Sequence, residues 1–152
     1  MRKIFDNKIL LRVVLLIYIL LLFTIVILKF YAGFNLISVR EHILQGRTAG
    51  YWNINLIPFK TLKQETRSGI LNLNMLGNTL PFLLLGFLLS MAEKHYRILK
   101  SLIFCILLIL FFEVFQFVTC IGFFDIDDII LNSLFCFIGI IIFHYFKKLF
   151  FK

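Results

Sequence analysis

Between positions 13 and 28 the chain carries sixteen consecutive residues without a charge, fenced by Arg12 and Lys29. With its flanks this run reaches the roughly 20 residues that a membrane-spanning helix needs. Three more long apolar stretches follow, at about 73–92, 99–119 and 128–146, the last stopped by Lys147 and Lys148. Composition closes off the alternatives. Of 152 residues, 61% are hydrophobic and 16% charged, against about 45–50% and about 25% in a soluble domain. A water-soluble fold of this length cannot hide so much apolar surface, so a soluble enzyme or transcription factor is excluded. Disorder is excluded too, since disordered chains are poor in hydrophobic residues. The sequence predicts an all-α membrane protein with four transmembrane helices, forming one integral-membrane domain over 1–152.

The first run follows Arg2, Lys3, Lys8 and Arg12, as a signal peptide would. It is long for that purpose, and the residues after it, Lys29-Phe30-Tyr31, hold no small-residue cleavage site. It reads as a retained first span. Residues 29–72 form a mixed connection with Gly46, Gly50 and Gly69 as breakers. Within it, Asn55-Leu56-Ile57-Pro58-Phe59 is apolar, and Tyr51 and Trp52 suit a membrane–water interface. An interfacial or re-entrant segment is expected there. Such backbone survives at membrane depth only when packed by protein or facing water.

Four spans place both termini on one side. Ten of the 16 Lys and Arg residues fall at the termini and the loop between the second and third spans, and six in the long first loop. The positive-inside rule therefore predicts a multi-pass cell-membrane protein with cytoplasmic termini. The net charge of +8 is read as this loop bias and as attraction to anionic lipid. It is not read as nucleic-acid binding, because no basic stripe lies outside the apolar segments.

Orientation then gathers the polar residues. Glu113 falls about 10 Å below the outer end of the third helix, and Gln116 shares its face. Asn74 and Asn78 lie four apart near the outer end of the second. Asp125, Asp128 and Asn132 are spaced three and four apart at the start of the fourth. An ionised Glu113 facing lipid would cost about 2.5 kcal/mol or more, so such groups face a bundle interior or a wet cavity. One outward-opening polar pocket is expected, roofed by 55–59, with Asn55, Pro58, Asn78, Glu113, Gln116, Asp125, Asp128 and Asn132 as ligand-binding candidates. Blander roles compete. Gln116, Asn78 and Asn132 suit interhelical hydrogen bonding, and Asp127 suits a cap on the fourth helix. Cys105, Cys120 and Cys136 read as small hydrophobes, and His42, His95 and His144 as too scattered to form a site. No metal site and no cofactor are expected.

Asn55-Leu56-Ile57-Pro58-Phe59, Gly77-Asn78-x-x-Pro81-Phe82 leading to Gly86-Phe87-Leu88-Leu89, Glu113-x-x-Gln116, and Asp125-Ile126-Asp127-Asp128-x-x-x-Asn132 occur in that order. Over residues 55–143 the chain resembles the VanZ-like family of small bacterial membrane proteins. It departs from the family's pattern at Phe135, where glycine is usual (Gly139 remains), and at Phe123, where many members carry arginine. The resemblance implies low-level resistance to teicoplanin and related lipid-tailed glycopeptides. Three mechanisms are compatible with it. One is binding of a membrane lipid, cell-wall precursor or lipoglycopeptide antibiotic in the outer pocket. Another is an enzyme acting on an envelope lipid, with Glu113 and Asp128 as candidate catalytic residues and Asp125, Asp127 and Asp128 holding a divalent cation. The third is a scaffold without a pocket.

Overall fold

A computed structural model describes residues 7–28, 36–67, 73–93 and 98–150. His95, in the loop between the second and third apolar stretches, lies outside them, as does the side chain of Asn74. The described chain holds α1 (Lys8–Leu28), α2 (Leu36–Thr48), β1 (Ile54–Asn55), α3 (Lys60–Arg67), α4 (Leu73–Ala92), α5 (Ile98–Thr119), β2 (Phe124–Asp125) and α6 (Ile126–Phe150). Three helices are long and apolar enough to cross a membrane, over Lys8–Val26, Ile98–Thr119 and Ile126–Leu149, and a shorter apolar helix covers Gly77–Ala92. Their outward faces expose Leu16, Leu20, Leu107, Phe111, Val118 and Leu134. Those faces have no soluble explanation, and the architecture is that of a helical membrane protein. One element departs from an all-α reading: β1 and β2 pair in parallel, Ile54 with Phe124 and Asn55 with Asp125.

Local chemistry sets the helix ends. Asn7 Oδ1 accepts the Leu10 N–H at 3.1 Å and caps α1. Asp125 Oδ1 accepts the Asp127 N–H at 2.9 Å and caps α6. At the end of α2, Gly50 takes φ 86°, with Tyr51 N bonded to Gly46 O and Gly50 N to Arg47 O. This is a Schellman motif. Helix α5 closes the same way, from Ile121 N to Gln116 O and Cys120 N to Phe117 O, although Cys120 occupies the left-handed position at φ 55°.

Four helices share one core. Lys8 Nζ donates to Met91 O at 3.1 Å, and Tyr18 Oη donates to Pro81 O at 2.6 Å. Helices α1 and α4 therefore run antiparallel. Phe23 of α1 packs its ring 5.6 Å from Phe112 and 5.0 Å from Phe115 on α5, and Phe82 of α4 meets Phe112 from the other side. The cysteines behave as small hydrophobes: all three are free and buried. The closest approach is between α4 and α6. A methyl group at Gly86 would overlap the Cys136 carbonyl, and one at Gly139 would overlap the Leu83 carbonyl. Small residues let backbones meet where lipid supplies no hydrophobic drive. Gly77, by contrast, faces open space. Gly86→Ala and Gly139→Ala should each destabilise the bundle by about 1–3 kcal/mol, and Gly77→Ala should be near neutral, as read by thermal unfolding in detergent.

Candidate functional site

At the end of the bundle where α5 turns into α6, the expected single chamber resolves into two connected layers. The inner layer is a cavity between α1, α4, α5 and α6. Its polar wall is Asn78, Glu113 and Asn132; its apolar wall includes Leu22, Ile25 and Phe82. The cavity measures about 10 Å³, room for about one water molecule. Glu113 is 3% exposed and Asn132 is 4% exposed. The Asn132 Oδ1 atom is buried with no hydrogen-bond partner. Such an atom in a native protein needs an explanation, a bound group among them.

The outer layer holds the segment after α2 against the start of α6. Asp127 is 1% exposed, and its carboxylate accepts three backbone N–H groups: Phe59 at 2.6 Å, Thr61 at 2.9 Å and Leu62 at 3.3 Å. The expected cap on the fourth helix is thus corrected. Asp127 caps α3 through amides 65–68 residues earlier in the chain, and Asp125 caps α6. Charge near the α3 N-terminus also meets the favourable end of that helix dipole. Asp125 Oδ2 accepts from Thr61 Oγ1 at 2.6 Å, and its Oδ1 accepts from Asn55 Nδ2 at 3.1 Å. The two layers meet at the bond from Asp125 N to Glu113 Oε2, 3.1 Å long.

The other candidates fall outside the cavity. Gln116 Nε2 donates to Val26 O at 3.2 Å, which ties α5 to α1 in the interhelical role. Pro58 is exposed and Asp128 half-buried. The three aspartates do not converge as cation ligands: Asp125 and Asp127 turn their oxygens to the Asn55 and Thr61 side chains and the α3 backbone. Among the described residues no group of three ligand-type side chains converges.

A third cluster carried no sequence expectation. Arg47, at the end of α2, donates to Asn53 Oδ1 through Nε (2.9 Å) and Nη2 (2.6 Å), and to Phe117 O at 2.6 Å. Its guanidinium lies 5.3 Å from the Trp52 ring and 4.7 Å from the Phe117 ring. Asn53 Nδ2 continues to Gly122 O at 2.6 Å, and Asn53 O accepts from Phe124 N. The readable signal was Gly50, which marks the end of α2 and so places Arg47 at a helix terminus.

The sequence matches the VanZ/LLP1 family over residues 15–149. The chain belongs to that family. It is also similar to Protein VanZ of Enterococcus faecium, with 31% identity over 134 residues, covering 88% of this chain and 73% of that protein. No solved structure matches. The VanZ-like motifs divide between the layers: Asn55, Asp125 and Asp127 build the outer one, and Asn78, Glu113 and Asn132 the inner. Phe123, just before the aspartates, is exposed, and the Arg47 guanidinium of α2 reaches this end of the bundle at Phe117 O.

Two outcomes follow. Asp127→Ala should raise amide hydrogen exchange at residues 59–62 about tenfold or more, since charge-assisted hydrogen bonds contribute about 1.5–3 kcal/mol each. Arg47→Lys should lower thermal stability nearly as much as Arg47→Ala, because an ammonium cannot reproduce the guanidinium fork.

Proposed function

We propose that the protein is a single multi-pass domain of the cell membrane with four spans, α1, α4, α5 and α6, and both termini in the cytoplasm. In this arrangement the α5–α6 turn faces outward, and the segment around 51–59 lies in the outer interface. Tyr51, Trp52, Leu56, Ile57 and Phe59 are all exposed, a surface suited to the headgroup boundary, where aromatic rings are enriched. At 20 residues, α4 is about 30 Å long, the thickness of a hydrocarbon core.

In this reading the protein confers low-level resistance to teicoplanin-type lipoglycopeptides by binding an amphiphile at its outer cavity. The amphiphile is an envelope lipid, a cell-wall precursor or the antibiotic's own tail. The observation that carries the reading is the convergence of Asn78, Glu113 and Asn132, from three different helices, on one cavity. The family relationship supports the resistance role, and the cavity's position supports the binding role. Lipid-tailed glycopeptides act at the outer leaflet, where this cavity lies. A small polar group of the ligand would enter the cavity, and its chain would lie against α1, where Ile25 lines the cavity and is itself exposed.

The test is teicoplanin susceptibility of cells carrying Glu113→Ala or Asn78→Ala, with membrane abundance measured alongside. Loss of resistance at unchanged abundance is expected. Wild-type resistance in both variants would overturn the reading.

A further inference from the structure

The cavity is too small to be indifferent to what enters it. Its volume of about 10 Å³ admits one water-sized group, which excludes a trimethylammonium, a phosphate or a sugar ring. Its lining includes Glu113, whose carboxylate is an acceptor when ionised, and Asn132, whose buried Oδ1 atom has no partner. Among the described residues, no Lys, Arg or His lines it, so it lacks what recognises a phosphate or carboxylate. The Asn78 amide completes the polar wall. A compact group with several N–H donors and a positive charge complements the Glu113 carboxylate and the unpartnered Asn132 acceptor together.

We infer that the cavity binds the primary ammonium group of an amphiphile, such as an aminophospholipid headgroup. This rests on the reading of the cavity as a ligand site and adds the chemistry of the ligand. An –NH₃⁺ group is close in size to water and carries three donors. Directed at Asn132 Oδ1 and the Glu113 carboxylate, it satisfies the orphaned acceptor and adds a charge-assisted bond. The rest of the headgroup stays outside, with the acyl chains beside Ile25. Methylation of the nitrogen removes the donors and enlarges the group at once, so discrimination against a quaternary amine should be steep.

The test uses the full-length protein, purified and delipidated in detergent. It is offered phosphatidylethanolamine, phosphatidylcholine and phosphatidylglycerol of identical acyl chains, with retained lipid read by native mass spectrometry. Phosphatidylethanolamine should be retained over phosphatidylcholine by about tenfold, the scale of one hydrogen bond to a charged group. Glu113→Gln should bring the ratio to parity, and Asn132→Asp, which keeps the shape and the acceptors, should maintain it. Dodecylamine as competitor separates the sources. If it displaces the lipid, the ammonium alone is recognised; if the preference survives it, the ammonium is recognised as part of the lipid headgroup. Equal retention of the ethanolamine and choline lipids by the wild-type protein overturns the assignment without relying on any variant, and so does preference for phosphatidylglycerol. If Glu113→Ala abolishes resistance while the two zwitterionic lipids bind equally, the ammonium assignment fails and the pocket reading stands. Intact resistance in Glu113→Ala and Asn78→Ala beside a clear ethanolamine preference removes the resistance role alone.

Discussion

A carboxylate that is 1% exposed is unfavourable to desolvate unless donors surround it. At Asp127 the donors are the backbone N–H groups of Phe59, Thr61 and Leu62. Both partners gain. The first amides of a helix have no intrahelical acceptor, and three such groups near the start of α3 find theirs on a residue of α6. The geometry has a cost: Phe59 sits at φ 63°, in the left-handed region that side-chain-bearing residues avoid, at about 1–2 kcal/mol. The bond from Phe59 N to Asp127 offsets it. Apolar burial does little to hold this segment down, because Leu56, Ile57 and Phe59 are exposed. Its position depends on directional polar bonds rather than on a core.

Those bonds do not stop at the surface. Asp125 receives Thr61 and Asn55 through its carboxylate and passes its own N–H to Glu113. A continuous chain of contacts therefore runs from the interfacial segment to the cavity wall. The opposite wall, α1, is tied by polar bonds that include Gln116 to Val26 O, Tyr18 to Pro81 O and Lys8 to Met91 O. The cavity thus adjoins a polar network on one side and the apolar residues Leu22, Ile25 and Val26 of α1 on the other.

The long apolar stretches were legible because span length and charge fencing are local properties of a sequence. Glu113 beside Asn78 and Asn132 was legible because a buried charge leaves few places to point. The role of Asp127 was not. An acid in a helix's first turn reads as that helix's own cap, and nothing local reveals that its partner is the start of another helix, 65 or more residues away. The two-residue pairing of β1 with β2 is too short to carry a period. The Arg47–Asn53 clamp joins ordinary residues of a mixed segment, and only the tertiary fold brings Phe117 O to the guanidinium. At the end of α5, Cys120 stands where glycine would have advertised the stop.

The cavity and the tightest packing in the molecule have one origin. On α4, Asn78, Phe82 and Gly86 follow at intervals of four and so share a face; on α6, Asn132, Cys136 and Gly139 do the same at four and three. Backbone meets backbone at Gly86 and Gly139. Packed helices cross at an angle, so they separate with distance from the point of closest contact. Asn78 and Asn132 lie about 10–12 Å along their helices from that contact, where the gap has widened. Apolar side chains there would close it. Short amides hold it open, and one of them keeps an acceptor without a partner. The residues that bring the two helices together at the middle and the residues that line the cavity toward the end thus lie on the same faces of the same two helices.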